Sequence, residues 1–466
     1  MTVPSPNVPR AAALAVSSVV NTALLDYYRC PDSFALVACP DRMAGPLGYF
    51  SVGDDLTLYG HCTAGAQDRL SGRVGVDASR SIRVTGGRVE LPFDPTEVVD
   101  NLRLERYQSA EDHGGAFGSA RPLRRLYYWI RPALPVSVRK HLQSAALRGW
   151  EQRVFPRWPV DDTVGQLHEK TLMLRMKAEN IERVPFVWFW PDGFSSCAIV
   201  THDIETSAGV AFCSQLMDLD ESFGLKSSFQ VVPEKRYTVS TQFLEELRKR
   251  GFEINVHDLN HDGELFRSRA EFQRRAALIN RYAKEFQAEG FRSAVLYRNQ
   301  EWYSEFEFSY DMSVPNVGHL DPQRGGCCTV MPYLLGDVLE LPLTTTQDYS
   351  LFHIMRDYST KHWQRQMNLI MGRHGLISFN IHPDYVIAPR EREVYRALLQ
   401  LLSNLRGERK IWTTLPSAVN RWWRQRSEMV VEFQNGSWRV KGNGCERARL
   451  AYAELADGKL VYKLAV

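Results

Sequence analysis

Four short segments of the sequence carry charged or imidazole side chains directly after an apolar run. Each segment follows the end of a predicted strand, and its residues are of types that ionise, bind metals or transfer protons. The segments are Thr201-His202-Asp203-Ile204-Glu205, His257-Asp258-Leu259-Asn260-His261-Asp262, Arg298-Asn299-Gln300-Glu301-Trp302 and His382-Pro383-Asp384. Because the catalytic groups of α/β barrels follow the carboxyl ends of strands, four such segments together indicate one active site.

His257 and His261 are spaced four residues apart, which would put both imidazoles on one side of the chain if the loop entered a helix. Imidazole suits zinc, cobalt, nickel or iron, and a carboxylate from Asp203 or Glu205 would complete a set of two histidines and one acid. The alternative is a polar surface loop, since three of the neighbouring residues are polar as well.

The elements that must position these residues occupy roughly 186–426, where apolar runs alternate with stretches of helical period. The predicted strands are Cys197–Thr201, Ser228–Val232, Phe252–Val256, Ala294–Tyr297, Val338–Leu343 and Leu376–Ile381. The predicted helices include Thr241–Arg250, Arg267–Gln287, Thr360–Arg373 and Arg390–Leu405. Strand and helix in alternation predict a parallel α/β arrangement, either an open sheet or a barrel.

Three further regions flank this α/β part. Residues 1–110 alternate short apolar runs with turn signals and are predicted to form a β-rich domain. Residues 111–185 are predicted to be a basic, aromatic helical connector, and residues 427–466 a small β appendage of hairpins. The α/β segment 186–426 is therefore flanked by a further region on either side.

The net charge hides one basic segment. The chain has 57 Lys and Arg against 54 Asp and Glu, a formal charge of +3, which gives no nucleic-acid signal. Residues 121–158 hold nine Lys and Arg with a single acid, interleaved with Tyr and Trp. That segment is predicted either to contact a membrane surface or an anionic glycan, or to be a solvated connector that docks on its neighbour.

Eight cysteines occur without any Cys-x-x-Cys pair, so buried, reduced thiols are expected. The N-terminal run is a poor signal peptide, and no apolar stretch reaches the ~18 residues that a membrane span needs. A cytoplasmic location is the resulting expectation.

The segments resemble the motifs of the polysaccharide deacetylase (NodB homology) family, whose members hydrolyse amides, usually the N-acetyl group of an amino sugar, with a divalent metal. The family's first motif, Thr-Phe-Asp-Asp, aligns with Thr201 to Ile204, with His202 in place of the aromatic residue. The second, a strand followed by His-x-x-x-His, matches GFEINVHDLNHDG, and the fifth, an apolar strand ending in His, matches ISFNIH. The resemblance covers about residues 195–415 and implies a distorted (β/α)7 barrel.

The resemblance also implies roles for individual residues. Asp203 falls on the catalytic base, His257 and His261 on metal ligands, His382 on the general acid, and Arg298 on the arginine that orients the base. Ile204 replaces the second aspartate, a ligand, so either Glu205 or Asp203 is expected to complete the metal site. The aromatic and Asp-Trp components of the family's motifs are not evident in VLELPLTTTQD, where Glu340 or Asp348 is expected to stand in. The implied cofactor is a divalent metal: zinc, with cobalt, nickel, iron or manganese as alternatives.

The aromatic residues after Arg298 extend this prediction to the substrate. Trp302 and Tyr303, with Asp384 after His382, are predicted to bind it, because sugar rings stack on aromatic faces; packing in the core is the alternative. The predicted function is metal-dependent N-deacetylation of an amino sugar in a polysaccharide or its precursor, so the expected partner is a carbohydrate. The alternatives are a hydrolase of a non-glycan amide or cyclic ureide and a non-catalytic carbohydrate-binding or scaffold protein.

Overall fold

The computed structural model describes residues 16–70, 75–108, 154–318 and 324–465. The strands in these ranges are β1 (Val16–Val20), β2 (Leu36–Pro40), β3 (Leu47–Ser51), β4 (Thr57–His61), β5 (Arg83–Thr85), β6 (Arg88–Glu90), β7 (Arg183–Val187), β8 (Ser196–Ile204), β9 (Ser228–Val231), β10 (Glu253–His257), β11 (Gly290–Arg292), β12 (Tyr310–Asp311), β13 (Tyr333–Leu335), β14 (Val338–Glu340), β15 (Leu376–Asn380), β16 (Ile411–Thr413), β17 (Val430–Gln434), β18 (Ser437–Lys441), β19 (Leu450–Ala456) and β20 (Lys459–Leu464).

The α-helices of the same ranges are α1 (Thr22–Tyr28), α2 (Pro95–Arg103), α3 (Thr163–Glu179), α4 (Ser207–Ser222), α5 (Thr241–Lys249), α6 (Arg269–Phe286), α7 (Lys361–Met371), α8 (Pro383–Val386), α9 (Pro389–Gly407) and α10 (Pro416–Glu428). Three helices that follow barrel strands begin at a side-chain cap, because Thr206, Ser240 and Ser268 each accept a hydrogen bond from a backbone N–H of the first turn. In the described part of the chain, no helix is both long enough and apolar enough to cross a bilayer.

A curled nine-stranded sheet forms the centre of the α/β part. Its order is β13-β14-β12-β11-β10-β9-β8-β15, with β16 beside the start of β8, and every pair is parallel except β13 with β14. All nine residues of β8 are buried, as expected for a parallel strand that is covered on both faces. The predicted α/β fold class, with a sheet of barrel type, is confirmed.

Residues 344–348 follow β14 and run beside β15 at the other end of the sheet. Ser378 N donates to Thr344 Oγ1 at 2.9 Å, and Thr345 N donates to the Ser378 carbonyl at 3.3 Å. This segment brings the two ends of the curled sheet together. The carboxyl ends of the parallel strands therefore surround one opening.

One predicted strand is misplaced. The sequence predicts a strand at Ala294–Tyr297, but the structure has β11 at Gly290–Arg292 and a turn after it. Val295 and Leu296 adopt left-handed backbone conformations, with φ of 49° and 55°. A strand of three residues contains too little periodicity to detect, whereas the apolar run beside it resembles a strand.

The last strands of the chain join a strand that precedes the barrel. β19 pairs antiparallel with both β20 and β7, so these three strands form one sheet. Beside it, the fully buried guanidinium of Arg426 on α10 donates to the backbone carbonyls of Tyr27, Val187 and Trp188. One side chain thus ties α1 and β7 to the end of the barrel.

The N-terminal region has a core of its own. Its sheets, β1-β2-β6-β5 and β3-β4, pack with α2, and Phe50, Leu58 and Val98 share a buried cluster with Leu167 of α3. The domain boundaries stay predictions. Most of the basic segment 121–158 lies outside the described residues, so its contacts also stay a prediction. All eight cysteines are free thiols.

Candidate active site

Asp203 and Glu205 follow each other on one face of β8 and its extension. Side chains alternate along a strand, so Ile204 points the opposite way and packs in the core between the sheet and its helices. Asp203 is buried, with 2% of its surface exposed, while Glu205 is half-buried. Glu205, two residues from Asp203, therefore lies on the same side of the strand as that aspartate.

Glu205, His257 and His261 form a cluster whose candidate ligand atoms all lie within 4.8 Å of one another. The loop between the histidines does not enter a helix, because Asp258 and His261 have left-handed backbones, with φ of 58° and 54°. The imidazole centroids are nevertheless 4.8 Å apart, and His261 Nε2 lies 3.1 Å from Glu205 Oε1. The turn thus achieves the proximity that the four-residue spacing predicted through a helix.

The tautomer of His257 is fixed by the next strand. His257 Nδ1 lies 3.0 Å from the backbone carbonyl of Arg292, which can only accept, so Nδ1 carries the proton. Nε2 then presents a lone pair to the cluster, where it is buried and has no hydrogen-bond partner. Polar atoms that are buried this deeply normally have a hydrogen-bond partner. This nitrogen has none and lies beside a second imidazole and a carboxylate, an arrangement that fits a divalent metal.

Two of the three groups in this cluster have the protonation state that a metal requires. The third, His261, does not: burial lowers its pKa, but the Glu205 carboxylate outweighs burial and raises it, so a bound metal would displace a proton from this imidazole. Burial lowers the pKa of His257 to about 4, which keeps its imidazole neutral. Burial would raise the pKa of Glu205, but the adjacent His261 outweighs it and holds that pKa at about 2. A neutral imidazole and an ionised carboxylate are the forms that coordinate cations.

Asp203 is held on both oxygens. Arg292 Nη1 donates to Oδ1 at 3.0 Å, and Asn380 Nδ2 donates to Oδ2 at 2.8 Å. Although burial opposes ionisation, the Arg292 guanidinium outweighs it and keeps the pKa of Asp203 far below its usual range. Oδ2 also lies 3.8 Å from His257 Nε2. Asp203 is therefore an ionised carboxylate at the edge of the metal-type cluster, with its position fixed.

His382 completes the group. Asp348 accepts hydrogen bonds from the His382 backbone N–H at 2.7 Å and from Nδ1 at 2.6 Å. Nε2 then faces inward, 3.6 Å from Glu205 Oε1 and 3.9 Å from Asp203 Oδ2. Burial lowers the pKa of His382, but the Asp348 carboxylate outweighs it and raises the pKa to about 10. His382 is an imidazolium, a proton donor, in this state.

Arg298 does not contact Asp203, and this expectation is wrong. Its Nε donates to Glu105 Oε2 at 2.6 Å and its Nη2 to Oε1 at 2.5 Å, which links the barrel to the N-terminal region. Arg292, at the end of β11, takes the position at Asp203. The wrong arginine was predicted because the strand was predicted too late in the chain. The strand is β11, and the arginine at its end is Arg292.

The predicted substrate-binding residues lie in three different environments. Tyr303 is 1% exposed and packs among aromatic side chains, so its predicted contact with substrate is wrong. Trp302 is half-buried against Phe272, with the Arg269 guanidinium 5.6 Å from its ring centroid. Asp384 accepts from the Glu205 backbone N–H at 3.2 Å and from the Thr206 hydroxyl. Asp384 thus positions the backbone beside the cluster, and Trp302 remains a prediction.

Sequence reasoning missed Arg292 and Asn380. Asn380 falls inside the segment ISFNIH, and its place two residues before His382 puts it on the same face of β15 as that histidine. The alternation of side chains could therefore have predicted Asn380. Arg292 could not be predicted in this way, because β11 is too short to show a strand pattern.

No protein-family model matches the sequence, and no curated protein matches it. Among solved structures, a protein from Mycobacterium smegmatis described as a polysaccharide deacetylase is 15% identical, with a TM-score of 0.43 over 54% of this chain and 98% of that one. Puue allantoinase is 12% identical, with a TM-score of 0.41 over 50% and 92%. Peptidoglycan deacetylase PdaC from Bacillus subtilis is 14% identical, with a TM-score of 0.33 over 50% and 93%.

Polysaccharide deacetylases are thus among the solved structures that about half of this chain resembles.

Proposed function

We propose that the protein is a metal-dependent amide hydrolase that removes the N-acetyl group of an amino sugar in a polysaccharide or its precursor. One observation carries the proposal: Glu205, His257 and His261 converge within 4.8 Å, and a buried imidazole nitrogen without a partner faces the cluster. An ionised carboxylate and an imidazolium lie beside it. A base, an acid and a cation-binding set in one opening are what amide hydrolysis needs.

His257, His261 and Glu205 would hold the metal. Two imidazoles and one carboxylate suit zinc, with open positions for water and substrate, and also suit iron, cobalt, nickel or manganese. When bound, the metal supplies Lewis acidity for the amide carbonyl and acidifies water. We propose zinc as the first metal to test.

Asp203 would accept the proton of the attacking water. Arg292 and Asn380 fix the orientation of its carboxylate, and Oδ2 is the oxygen that faces His257 and His382. Because the carboxylate cannot rotate, the oxygen that takes the proton is already in place when water is consumed. The carbonyl carbon gains the water oxygen, and acetate is the product that carries it.

His382 would donate a proton to the nitrogen of the breaking amide bond. The Asp348 carboxylate holds Nδ1–H, so the proton that is given up is the one on Nε2, the atom that faces the cluster. The amine leaves neutral, and the proton from water, passed to Asp203, balances the one that His382 has lost. The two proton transfers require that Asp203 starts as a carboxylate and His382 as an imidazolium.

The test is acetate release by zinc-loaded protein from N-acetylglucosamine oligomers and from a peptidoglycan fragment. We expect release that is lost on chelation and restored by zinc. His261→Ala, which removes a ligand, should lose both zinc and activity, whereas Glu432→Gln on the exposed hairpin β17 should keep both. Zinc-loaded wild-type protein that releases no acetate but opens a cyclic ureide would replace this function with the alternative hydrolase.

A further inference from the structure

Arg236 lies at the rim of the candidate active site, in the loop between β9 and α5. Its Nε donates to the backbone carbonyl of Glu205 at 2.9 Å, so the guanidinium is anchored one peptide from a candidate metal ligand. The residue is exposed. Because the guanidinium group is planar, an arginine that is hydrogen-bonded only through Nε directs Nη1 and Nη2 away from that bond.

These two nitrogens, Nη1 and Nη2, have no hydrogen-bond or ion-pair partner among the residues that the structure describes. The two acids adjacent to it have other partners. Glu205 Oε1 lies 3.1 Å from His261 Nε2, and Glu234 Oε1 accepts from the Tyr282 hydroxyl at 3.1 Å. Arg236 therefore forms no ion pair within the described part of the chain.

A second cation stands beside it. Lys235 precedes Arg236 in the chain and is also exposed, so this rim of the opening carries two positive charges. Guanidinium binds carboxylate and phosphate through two parallel N–H···O bonds, which a lone ammonium does not reproduce. An anchored fork facing solvent at the edge of a reaction centre is suited to an anionic group on the substrate.

We propose that Arg236 recognises a carboxylate or phosphate on the substrate, next to the amide that is cleaved. The inference rests on the proposed deacetylase function and deepens it, since it makes the preferred substrate an anionic amino sugar. The neutral sugar would reach the same reaction centre without this contact. Arg236 then determines specificity, while the metal set and the acid and base stay unchanged.

The test compares kcat/KM of zinc-loaded protein for N-acetylglucosamine, N-acetylmuramic acid and N-acetylglucosamine 1-phosphate. We expect wild-type protein to prefer at least one anionic sugar, and Arg236→Gln to cut the anionic-to-neutral ratio at least about tenfold, as expected for losing a charged hydrogen bond. Arg236→Lys keeps the charge without the fork and should fall in between. Arg439→Gln, the matched control, removes an exposed arginine on β18 and should leave the ratio within about twofold of wild type.

The sugar whose advantage falls identifies the group as a carboxylate or a phosphate. An unchanged ratio in Arg236→Gln would overturn the inference and leave the deacetylase function standing. If wild-type protein releases acetate from none of the three sugars, calorimetric binding of the same sugars to zinc-loaded protein decides the inference. The proposed function fails only if the oligomers and the peptidoglycan fragment release no acetate either. Binding of an anionic sugar at least about tenfold weaker in Arg236→Gln supports it; equal binding overturns it.

Discussion

Two buried arginines that are close in sequence serve two different regions of the molecule. Arg292 holds Asp203 at 3.0 Å among the groups of the candidate active site, and we call these two residues the site pair. Arg298 holds Glu105 through two hydrogen bonds where the N-terminal region meets the barrel, and we call these two residues the junction pair. Both arginines are fully or almost fully buried and both acids are ionisable, yet only one pair lies beside an unsatisfied imidazole.

The difference shows which observation carries functional information. A buried ion pair with its hydrogen bonds satisfied is an ordinary way to join two parts of a fold, and the junction pair is of this kind: Glu105 Oε1 also accepts from Gly326 N at 2.6 Å. The site pair stands beside His257 Nε2, which is buried without a partner. Chemistry is therefore indicated by an unpartnered imidazole nitrogen within a set of metal-type ligands rather than by the ion pair.

The largest effect is expected from removing the charge of one acid in each pair. Asp203→Asn should lower kcat/KM for acetate release about 10³-fold, because the base is lost while its size and buried position are kept. Glu105→Gln, the matched change in the junction pair, should leave kcat/KM within about threefold of wild type. Acetate release and zinc content of both variants check this. Equal losses in both would show that the comparison is mistaken.

Breaking the junction pair should lower the free energy of unfolding rather than the rate of acetate release. Arg298→Met leaves Glu105 buried without its cation and should cost about 3 kcal/mol of unfolding free energy, measured by urea denaturation. The double variant Arg298→Met with Glu105→Leu should recover most of that loss, because no uncompensated charge remains. A double variant as unstable as the single one would mean that packing, not charge, joins the two regions.

Shortening the cation of the site pair should affect rate more than stability. Arg292→Lys keeps the positive charge but not the geometry that reaches Asp203, Thr201 and the Met312 carbonyl together. We expect about a 100-fold loss of kcat with zinc retained, as for other residues that orient a reactive group. Arg298→Lys is the control. If it slows acetate release as much as Arg292→Lys, Arg298 acts on the reaction centre after all.

A smaller effect is expected at the other positioned group. Asp348→Asn weakens the hold on His382 Nδ1 and removes the charge that raises the pKa of that imidazole, so kcat should fall about tenfold. The alkaline limb of the kcat profile should also move to lower pH, because His382 would lose its proton earlier. A lower kcat with an unchanged pH profile would assign Asp348 to packing alone.

The sequence was sufficient for the residues whose position follows from a strand end. These residues lie at or just after the ends of strands long enough to show a pattern, and the structure gathers them: Asp203, Glu205, His257, His261 and His382. The sequence left Glu205 and Asp203 open as the carboxylate of the metal site, and the cluster in the structure contains Glu205. The same reasoning placed Arg298 at Asp203, because the three-residue strand β11 was hidden by the apolar run that follows it.

The remaining features depend on tertiary contacts that a single sequence does not show. The sequence allowed Tyr303 to line a sugar site or a core, and in the structure it is buried beside Phe266 and Phe306. The pairing of β19 with β7 joins residues from opposite sides of the barrel in sequence, and no local pattern encodes such a contact. The contact between Glu105 and Arg298 could not be predicted from the sequence for the same reason.

The central claim is that Glu205, His257 and His261 hold the metal. X-ray absorption of zinc-loaded protein at the zinc edge tests it most directly, with Glu205→Gln as the comparison. We predict one zinc per chain, coordinated by two imidazole nitrogens and a carboxylate oxygen at about 2.0 to 2.2 Å, and a changed oxygen shell or lost zinc in Glu205→Gln. Zinc with sulfur ligands at about 2.3 Å, or a spectrum without imidazole scattering, would contradict the account.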